Sequence, residues 1–270
     1  MKRILATLAL AGLSLPALAQ QKAPEPEYTI SGNFGLVSDY RFRGISQSDK
    51  KPAVQGGVDF AHKSGFYLGN FNSSISDWAG TIHSSGIEMD VYGGFKKEIA
   101  GIAFDIGAFY YYYPDAKNTA TNINPVNTRE VYFGAGYGPI SLKASRTMSE
   151  RYFGIGKNND TTLLQTAQSS AKGTMYYDIT FSKEIADKTT LKIHAGLLDL
   201  EKRSTATSTI KDYSIGIAYD LNGWVLGISY ADTSGVNTEE EKAFFTNTAT
   251  AGRTTKLYEG TAILSISKSF

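Results

Sequence analysis

The chain has 270 residues, with 27 Lys and Arg against 26 Asp and Glu, for a formal net charge of +1. So even a balance gives no electrostatic basis for binding nucleic acid, and the absence of cysteine excludes a disulfide framework, thiolate metal ligands and cysteine catalysis. The 27 Gly, 17 Tyr and 14 Phe, against only 7 Pro, suit a protein built of many aromatic-rich strands.

Lys2 and Arg3 make a positive start, residues 4–15 are largely apolar, and Ala17-Leu18-Ala19 is a small-residue cleavage signature. Residues 1–19 are therefore expected to be a secretory signal peptide cleaved after Ala19, leaving 20–270 as a single domain. No later apolar run is long enough for a transmembrane helix. After a short lead at 20–26, period-two alternation recurs in about twelve segments, which is strand rather than helix patterning. The segments fall near 28–40, 53–61, 66–74, 86–96, 102–113, 128–137, 140–149, 174–183, 189–198, 211–220, 224–231 and 256–270.

The connections alternate in length. HKSG, KEIAG, GP, EIADK and LNG are short turns, while those near 41–52, 75–85, 114–127, 150–173, 199–210 and 232–255 are long and polar. A Greek-key sandwich has no need of such alternation. It predicts an all-β, up-and-down antiparallel transmembrane barrel of about twelve strands, with short periplasmic turns and long outer loops.

Each strand separates two faces. Val54, Val58 and Phe60 oppose Gln55 and Asp59; Ile87, Met89 and Val91 oppose Glu88 and Asp90; Tyr213, Ile215 and Ile217 oppose Asp212 and Ser214. Aromatics on the apolar face collect beside the short turns (Tyr28, Phe60, Phe95, Tyr137, Phe181, Tyr219, Trp224), as expected of an interfacial girdle. Tyr40, Tyr112, Tyr213, Tyr230 and Tyr258 are expected to form the opposite girdle. The apolar face is thus expected to meet lipid, and the chain closes on Phe270 in register with Ala262, Leu264 and Ile266.

SDYRFRG with ISQ, then PAVQGG, then SGFYLG, all within 37–76, resemble the N-terminal signature of the TorF-like porin family of bacterial outer-membrane barrels. The resemblance implies an outer-membrane porin-like protein without fixing a substrate. Phe270 resembles the end of the signal read by the barrel-assembly machinery, with Lys268 a departure at a position usually apolar.

If the apolar face meets lipid, parity assigns Asp59, Glu88, Asp90, Asp105, Glu130, Asp178, Asp212 and Glu259 to the lumen wall, with Lys143, Lys192 and His194 as its basic members. An acidic wall attracts cations, so passive diffusion of small polar solutes or ions with cation preference is expected. The alternative is a non-conducting barrel, plugged by paired charges, whose loops serve structure or adhesion. Arg41 and Arg43 are placed at the outer mouth or at headgroup level, facing lipopolysaccharide phosphates or lumen carboxylates. Outer-membrane lipid and lipopolysaccharide are the expected surroundings.

Reaction chemistry is poorly represented. No local pattern pairs His62, His83 or His194 with a serine nucleophile, which leaves an outer-membrane hydrolase as the weakest alternative. GAGYG at 134–138 has no helix pattern after it, and FGIGK at 153–157 lacks P-loop spacing. No enzyme activity, cofactor or metal site is expected.

Overall fold

A computed structural model of the chain describes residues 26–76, 85–116, 126–156, 170–200, 209–237, 239–248 and 254–270. The signal-peptide region, His83, Lys157 and parts of the long connections lie outside them.

Twelve antiparallel strands close into one barrel in simple meander order. They are β1 (Tyr28–Val37), β2 (Ala53–His62), β3 (Phe66–Ser74), β4 (Ile87–Ile99), β5 (Ile102–Tyr112), β6 (Thr128–Tyr137), β7 (Ile140–Thr147), β8 (Met175–Ala186), β9 (Thr189–Asp199), β10 (Thr209–Leu221), β11 (Trp224–Ser234) and β12 (Thr261–Ser269). Tight turns join the strands at one end. At Ala100-Gly101 and Asn222-Gly223 both residues have positive φ, the geometry that matches the right-handed twist of paired strands. All long connections leave from the other end, called here the loop end.

β12 pairs with β1 and leaves no free edge. That seam is short: Asn33 to Val37 face Ser269 to Ser265, whereas β1 and β2 pair from Tyr28↔His62 to Val37↔Ala53. Two further backbone bonds, Gly32 N–H to Phe270 O (2.8 Å) and Phe270 N–H to Gly32 O (3.0 Å), extend it by one step.

The barrel is apolar outside. Ile30, Leu68, Ile106, Ile217, Ile228 and Leu264 all lie exposed, Ile30 at 66%. Tyr28, Phe60, Tyr137, Tyr219 and Trp224 stand exposed at the turn end, and Tyr112, Tyr213 and Tyr230 toward the loop end. Lys268 places its ammonium 5.1 Å from the Trp224 ring centroid, a cation–π contact that gives the charge a partner on the outer face.

The buried apolar cluster sits at the loop end, not along the barrel wall. Tyr40, Ile45, Tyr111, Phe153, Ile155, Ile210, Phe244 and Leu257 belong to it. The helix α1 (Glu239–Phe244) and three two-residue ladders build this cap. Three boundary expectations need correction. β1 stops at Val37, so Tyr40 is not in the outer girdle but 9% exposed inside. β12 starts at Thr261, because Thr255–Lys256 pairs with Thr246–Asn247 instead of joining the barrel. Tyr258 consequently packs against the loop cluster and is not a girdle residue.

Candidate functional site

The first connection, 38–52, turns into the barrel. Arg41–Phe42 pairs with Ile45–Ser46, leaving Arg43 and Gly44 as a two-residue turn. Their φ values are 48° and 79°, the double positive φ of a tight hairpin. Gly44 adopts this freely. It is required for a second reason: a Cβ there would strike Thr233 Oγ1 and lie 2.6 Å from Asp212 Cβ. The hairpin tip is packed backbone-first against β10 and β11, and Thr233 Oγ1 donates to Gly44 O (2.9 Å).

Arg41 holds the hairpin root. Its Nε donates to Asp39 Oδ2 (2.8 Å), Nη1 to Gly44 O (2.8 Å), and Nη2 to Thr261 Oγ1 (2.9 Å) and Glu259 O (2.5 Å). Arg43 holds the tip. It makes a two-pronged ion pair with Glu130 on β6, Nη1 to Oε1 at 2.8 Å and Nη2 to Oε2 at 2.6 Å, and Nη1 also donates to Tyr152 OH (3.0 Å). Its guanidinium lies 4.2 Å from the Tyr176 ring centroid on β8. Burial disfavours the Arg43 charge, but Glu130 beside it outweighs this and keeps the guanidinium firmly protonated. Burial also pushes the Tyr152 phenol up to about 12, so it stays neutral. Between root and tip, Tyr40 OH donates to Glu88 Oε1 (2.8 Å) on β4. In a ring of twelve strands β6 lies nearly opposite β1, so the hairpin spans the lumen.

Below the hairpin the interior is hollow. One cavity of about 460 Å³ lies against β9–β12 and is lined by Lys192, His194, Asp212, Ser214, Ser229 and Ser265. A second, about 510 Å³, is lined by Phe71, Asp90, Tyr92, Phe109, Lys143 and Asp178. A third, about 640 Å³, opens toward the turn end between Lys96, Asp105, Lys143, Asp178 and Lys192. Arg43 and His194 line the first two, and Lys143 and Asp178 the second and third. The three are stations along one interior.

The strand residues assigned to the lumen by parity face this interior. Asp59 accepts from Tyr92 OH (2.5 Å) and Asp105 from Tyr67 OH (2.6 Å). Lys143 Nζ lies 4.0 Å from Asp178 Oδ2, and Lys96 Nζ 3.7 Å from Asp105 Oδ2. Glu88 and Glu130 are buried against the hairpin, so their charges act on the loop. Glu259 is the exception. It sits in the connection before β12, where its side chain pairs with Lys256 at 2.9 Å and its carboxyl is held below the usual range by that hydrogen bond.

Arg41 and Arg43 are not at headgroup level. Their side chains are 5% and 7% exposed, inside the barrel. The two-residue turn reverses the chain toward the lumen, and Asp39 and Glu130 supply buried partners there. The tyrosine and phenylalanine lining escaped the sequence reading. Tyr67, Phe71, Phe109, Tyr111 and Tyr132 all point inward, and Tyr67 and Tyr132 hydroxyls touch. Parity marks Tyr67, Phe109, Tyr111 and Tyr132, each of which neighbours an outward apolar residue, but not Phe71, which lies between Asn70 and Asn72.

His194 joins Asp212 through Nε2 (3.0 Å) and Thr180 Oγ1 through Nδ1 (3.1 Å), and Tyr176 OH donates to Asp212 Oδ2 (3.0 Å). The connectivity is that of a triad, but Thr180 sits mid-strand between β7 and β9, where ladder pairing occupies the backbone N–H groups that an oxyanion would need. His62 Nδ1 meets Ser64 Oγ (2.7 Å) at an exposed turn, with no carboxylate behind it in any described contact. No group of metal-ligating side chains occurs among the described residues.

Comparison with known proteins places the architecture. The chain is similar in structure to a NanC porin in a rhombohedral crystal form, with TM-score 0.50 and 8% identity over 89% of this chain and 99% of that one. Weaker likenesses include the KdgM porin in complex with disordered oligogalacturonate (TM-score 0.48, 8% identity, 89% and 98% covered). Another is Pseudomonas aeruginosa OpdK with vanillate (TM-score 0.38, 11% identity, 91% and 66% covered). At such identities the likeness is one of fold. No curated protein matches the chain. A family profile matches residues 21–270, and by that match the chain belongs to Gcw_chp, a family of bacterial proteins of unknown function.

Proposed function

We propose that the chain is a porin-like channel of the bacterial outer membrane, passing small polar solutes or ions passively around a constriction formed by its first loop. The observation that carries this reading is the hollow interior, lined by charged, hydroxyl and aromatic side chains, inside a barrel whose outside is apolar. A closed barrel satisfies every ladder bond internally and so suits lipid, where an apolar outer face is the stable one. The fold likeness to NanC and the resemblance of residues 37–76 to TorF-like porins agree with it. In this reading the signal peptide exports the chain, lipid and lipopolysaccharide surround the outer face, and the assembly machinery recognises the last strand through Phe270.

Cation preference belongs to the proposal in reduced form. Glu88 and Glu130 are taken up by Tyr40 and Arg43, and the walls below carry Lys143, Lys192 and Lys96 beside Asp59, Asp105 and Asp178. The passage is therefore close to balanced, and Asp212, which also lines the interior, gives it a slight lean to cations.

Planar-bilayer recording of the purified full chain tests the reading: steps of conductance with a small cation-leaning reversal potential support it, and silence overturns it. A second reading has its own observation. The hairpin and the apolar cap above it favour a non-conducting barrel with structural or adhesive loops, and silence in the same recording is its signature. Ester hydrolysis that is lost on replacing His194 would instead revive the hydrolase.

A further inference from the structure

Two arginines stand on the outer face of the barrel at its loop end. Arg129 shares the face of β6 that carries the exposed Val131 and Phe133, and Arg146 the face of β7 that carries the exposed Leu142; both arginines are exposed. The register sets them side by side. Arg146 pairs with Val131, two residues along from Arg129, so the two are diagonal neighbours on one face. Such neighbours stand about 7–8 Å apart, within reach of long side chains. Arg129 also pairs with Tyr110 on β5, whose ring stacks on that of the girdle residue Tyr112 at 6.1 Å between centroids. That row is where the barrel wall meets headgroups.

Neither arginine has an ion pair among the described residues. Glu130 points inward to Arg43, Met175 pairs with both Arg146 and Asp199 and keeps them apart, and Glu150 lies in the connection beyond Met148. Two like charges on one face repel, and an anion between them removes that cost. The other outer-face cations differ. Lys268 has the Trp224 ring, and Lys211 stands alone on β10, diagonal to Asp199.

Charge and surroundings narrow the class of ligand. A guanidinium stays charged, and its planar fork takes phosphate oxygens two at a time. Two such charges match the dianion of a phosphate monoester better than the single charge of a diester. From the arginines toward the barrel's middle the outer face is apolar, with Val131, Phe133 and Leu142 exposed, so acyl chains on the ligand cover surface that free phosphate leaves bare.

We infer that Arg129 and Arg146 form a clamp for a phosphate monoester on a membrane lipid headgroup. With the loop end outermost, the phosphates of lipopolysaccharide are its occupant. The clamp rests on reading the apolar outer face as lipid-facing, and its test does not use conductance.

The full chain in detergent is offered equal amounts of phosphatidic acid (a monoester), phosphatidylglycerol (a diester) and phosphatidylcholine. The mixture is held at about pH 8, where a phosphomonoester has lost its second proton, and bound lipids are counted by native mass spectrometry. Phosphatidic acid is expected to be retained several-fold over phosphatidylglycerol. Arg129→Gln and Arg146→Gln are each expected to lower that preference about threefold, and the double variant about tenfold. Lys211→Gln is expected to leave it unchanged, and the compact, unheated gel band shows that each variant is folded. Retention of the three lipids alike removes the clamp and leaves the lipid-facing wall, while retention of none removes both. An undiminished preference in the double variant, or an equal loss in Lys211→Gln, also overturns the clamp. Displacement of phosphatidic acid by an equal concentration of inorganic phosphate overturns its assignment to lipid. A protein that retains phosphatidic acid in this way but passes no current keeps the clamp and loses the channel.

Discussion

Arg43, at the tip of a loop that begins on β1, forms a two-pronged ion pair with Glu130 on β6, almost directly across the barrel. The pair fixes where the first loop lies and therefore how wide the lumen is. Both side chains are nearly fully buried, so neither charge is satisfied if its partner is lost.

Arg43→Ala is expected to cost about 3–5 kcal/mol of the stability of the loop-end network, because Glu130 then stays buried without a counter-charge. The loosened hairpin is expected to raise single-channel conductance. Arg43→Met with Glu130→Leu removes both charges and is expected to be closer to wild type in stability than either single change, which melting of the heat-modifiable gel band will order. If both singles melt at the wild-type temperature, the pair does not hold the loop.

Gly44→Ala acts on the backbone of the same hairpin. The left-handed conformation costs a non-glycine residue about 1–2 kcal/mol, and the new methyl group meets Asp212 and Thr233 as well. The hairpin is expected to withdraw from β10 and β11 with the barrel intact. Conductance should rise while the compact, unheated gel band persists. Unchanged conductance alongside an unchanged melting temperature would mean that the tip is not seated as described.

The barrel was legible in the sequence because alternation writes each strand's two faces separately, and turns and loops alternate in length. Asp59, Glu88, Asp178 and Asp212 could be assigned inward by parity alone. Glu259 could not, since parity runs only while the strand does, and the Thr246–Asn247 ladder captures 255–256 before β12 begins. The inserted hairpin was present as Phe42-Arg43-Gly44-Ile45, two apolar residues flanking a turn pair. What decides its direction is long-range: Glu88, 48 residues from Tyr40, and Glu130, 87 residues from Arg43, which only the closed barrel brings opposite. Hence Tyr40 reads as a girdle residue although it is buried inside the barrel, and of the two settings open to Arg41 and Arg43, headgroup level or the mouth facing lumen carboxylates, Arg43 takes the second through Glu130.

The outer face gives a clean contrast. Ile217 is exposed at the middle of β10, between Leu191 and Ile228. Ile217→Arg is expected to destabilise the inserted barrel by about 2–4 kcal/mol, the cost of an arginine near the bilayer midplane. Ser214 on the inward face of the same strand lines a cavity, and Ser214→Arg is expected to insert normally and to shift selectivity toward anions. Urea unfolding in lipid vesicles measures the first and reversal potential the second. Equal tolerance at the two positions would falsify the assignment of the outer face to lipid.

The seam makes the last prediction. β1 and β12 pair over only half the length of the β1–β2 pair, and Phe270 extends the closure through its backbone bonds to Gly32. A Cβ on Gly32 would stand 2.7 Å from Phe270 Cε2, so the absence of a side chain at 32 is what lets the ring sit against the β1 backbone. Gly32→Val is expected to displace the ring and shorten the seam by its final pair. Phe270→Ala keeps the backbone bonds but loses the ring, and is expected to be milder in refolded protein. The two separate closure from recognition: if the assembly machinery reads the ring, Phe270→Ala lowers the amount of barrel in the outer membrane of cells although it refolds well in vitro. Gly32→Val lowers both. A Gly32→Val protein that refolds as fast and melts as high as wild type would show that the seam closes without this contact.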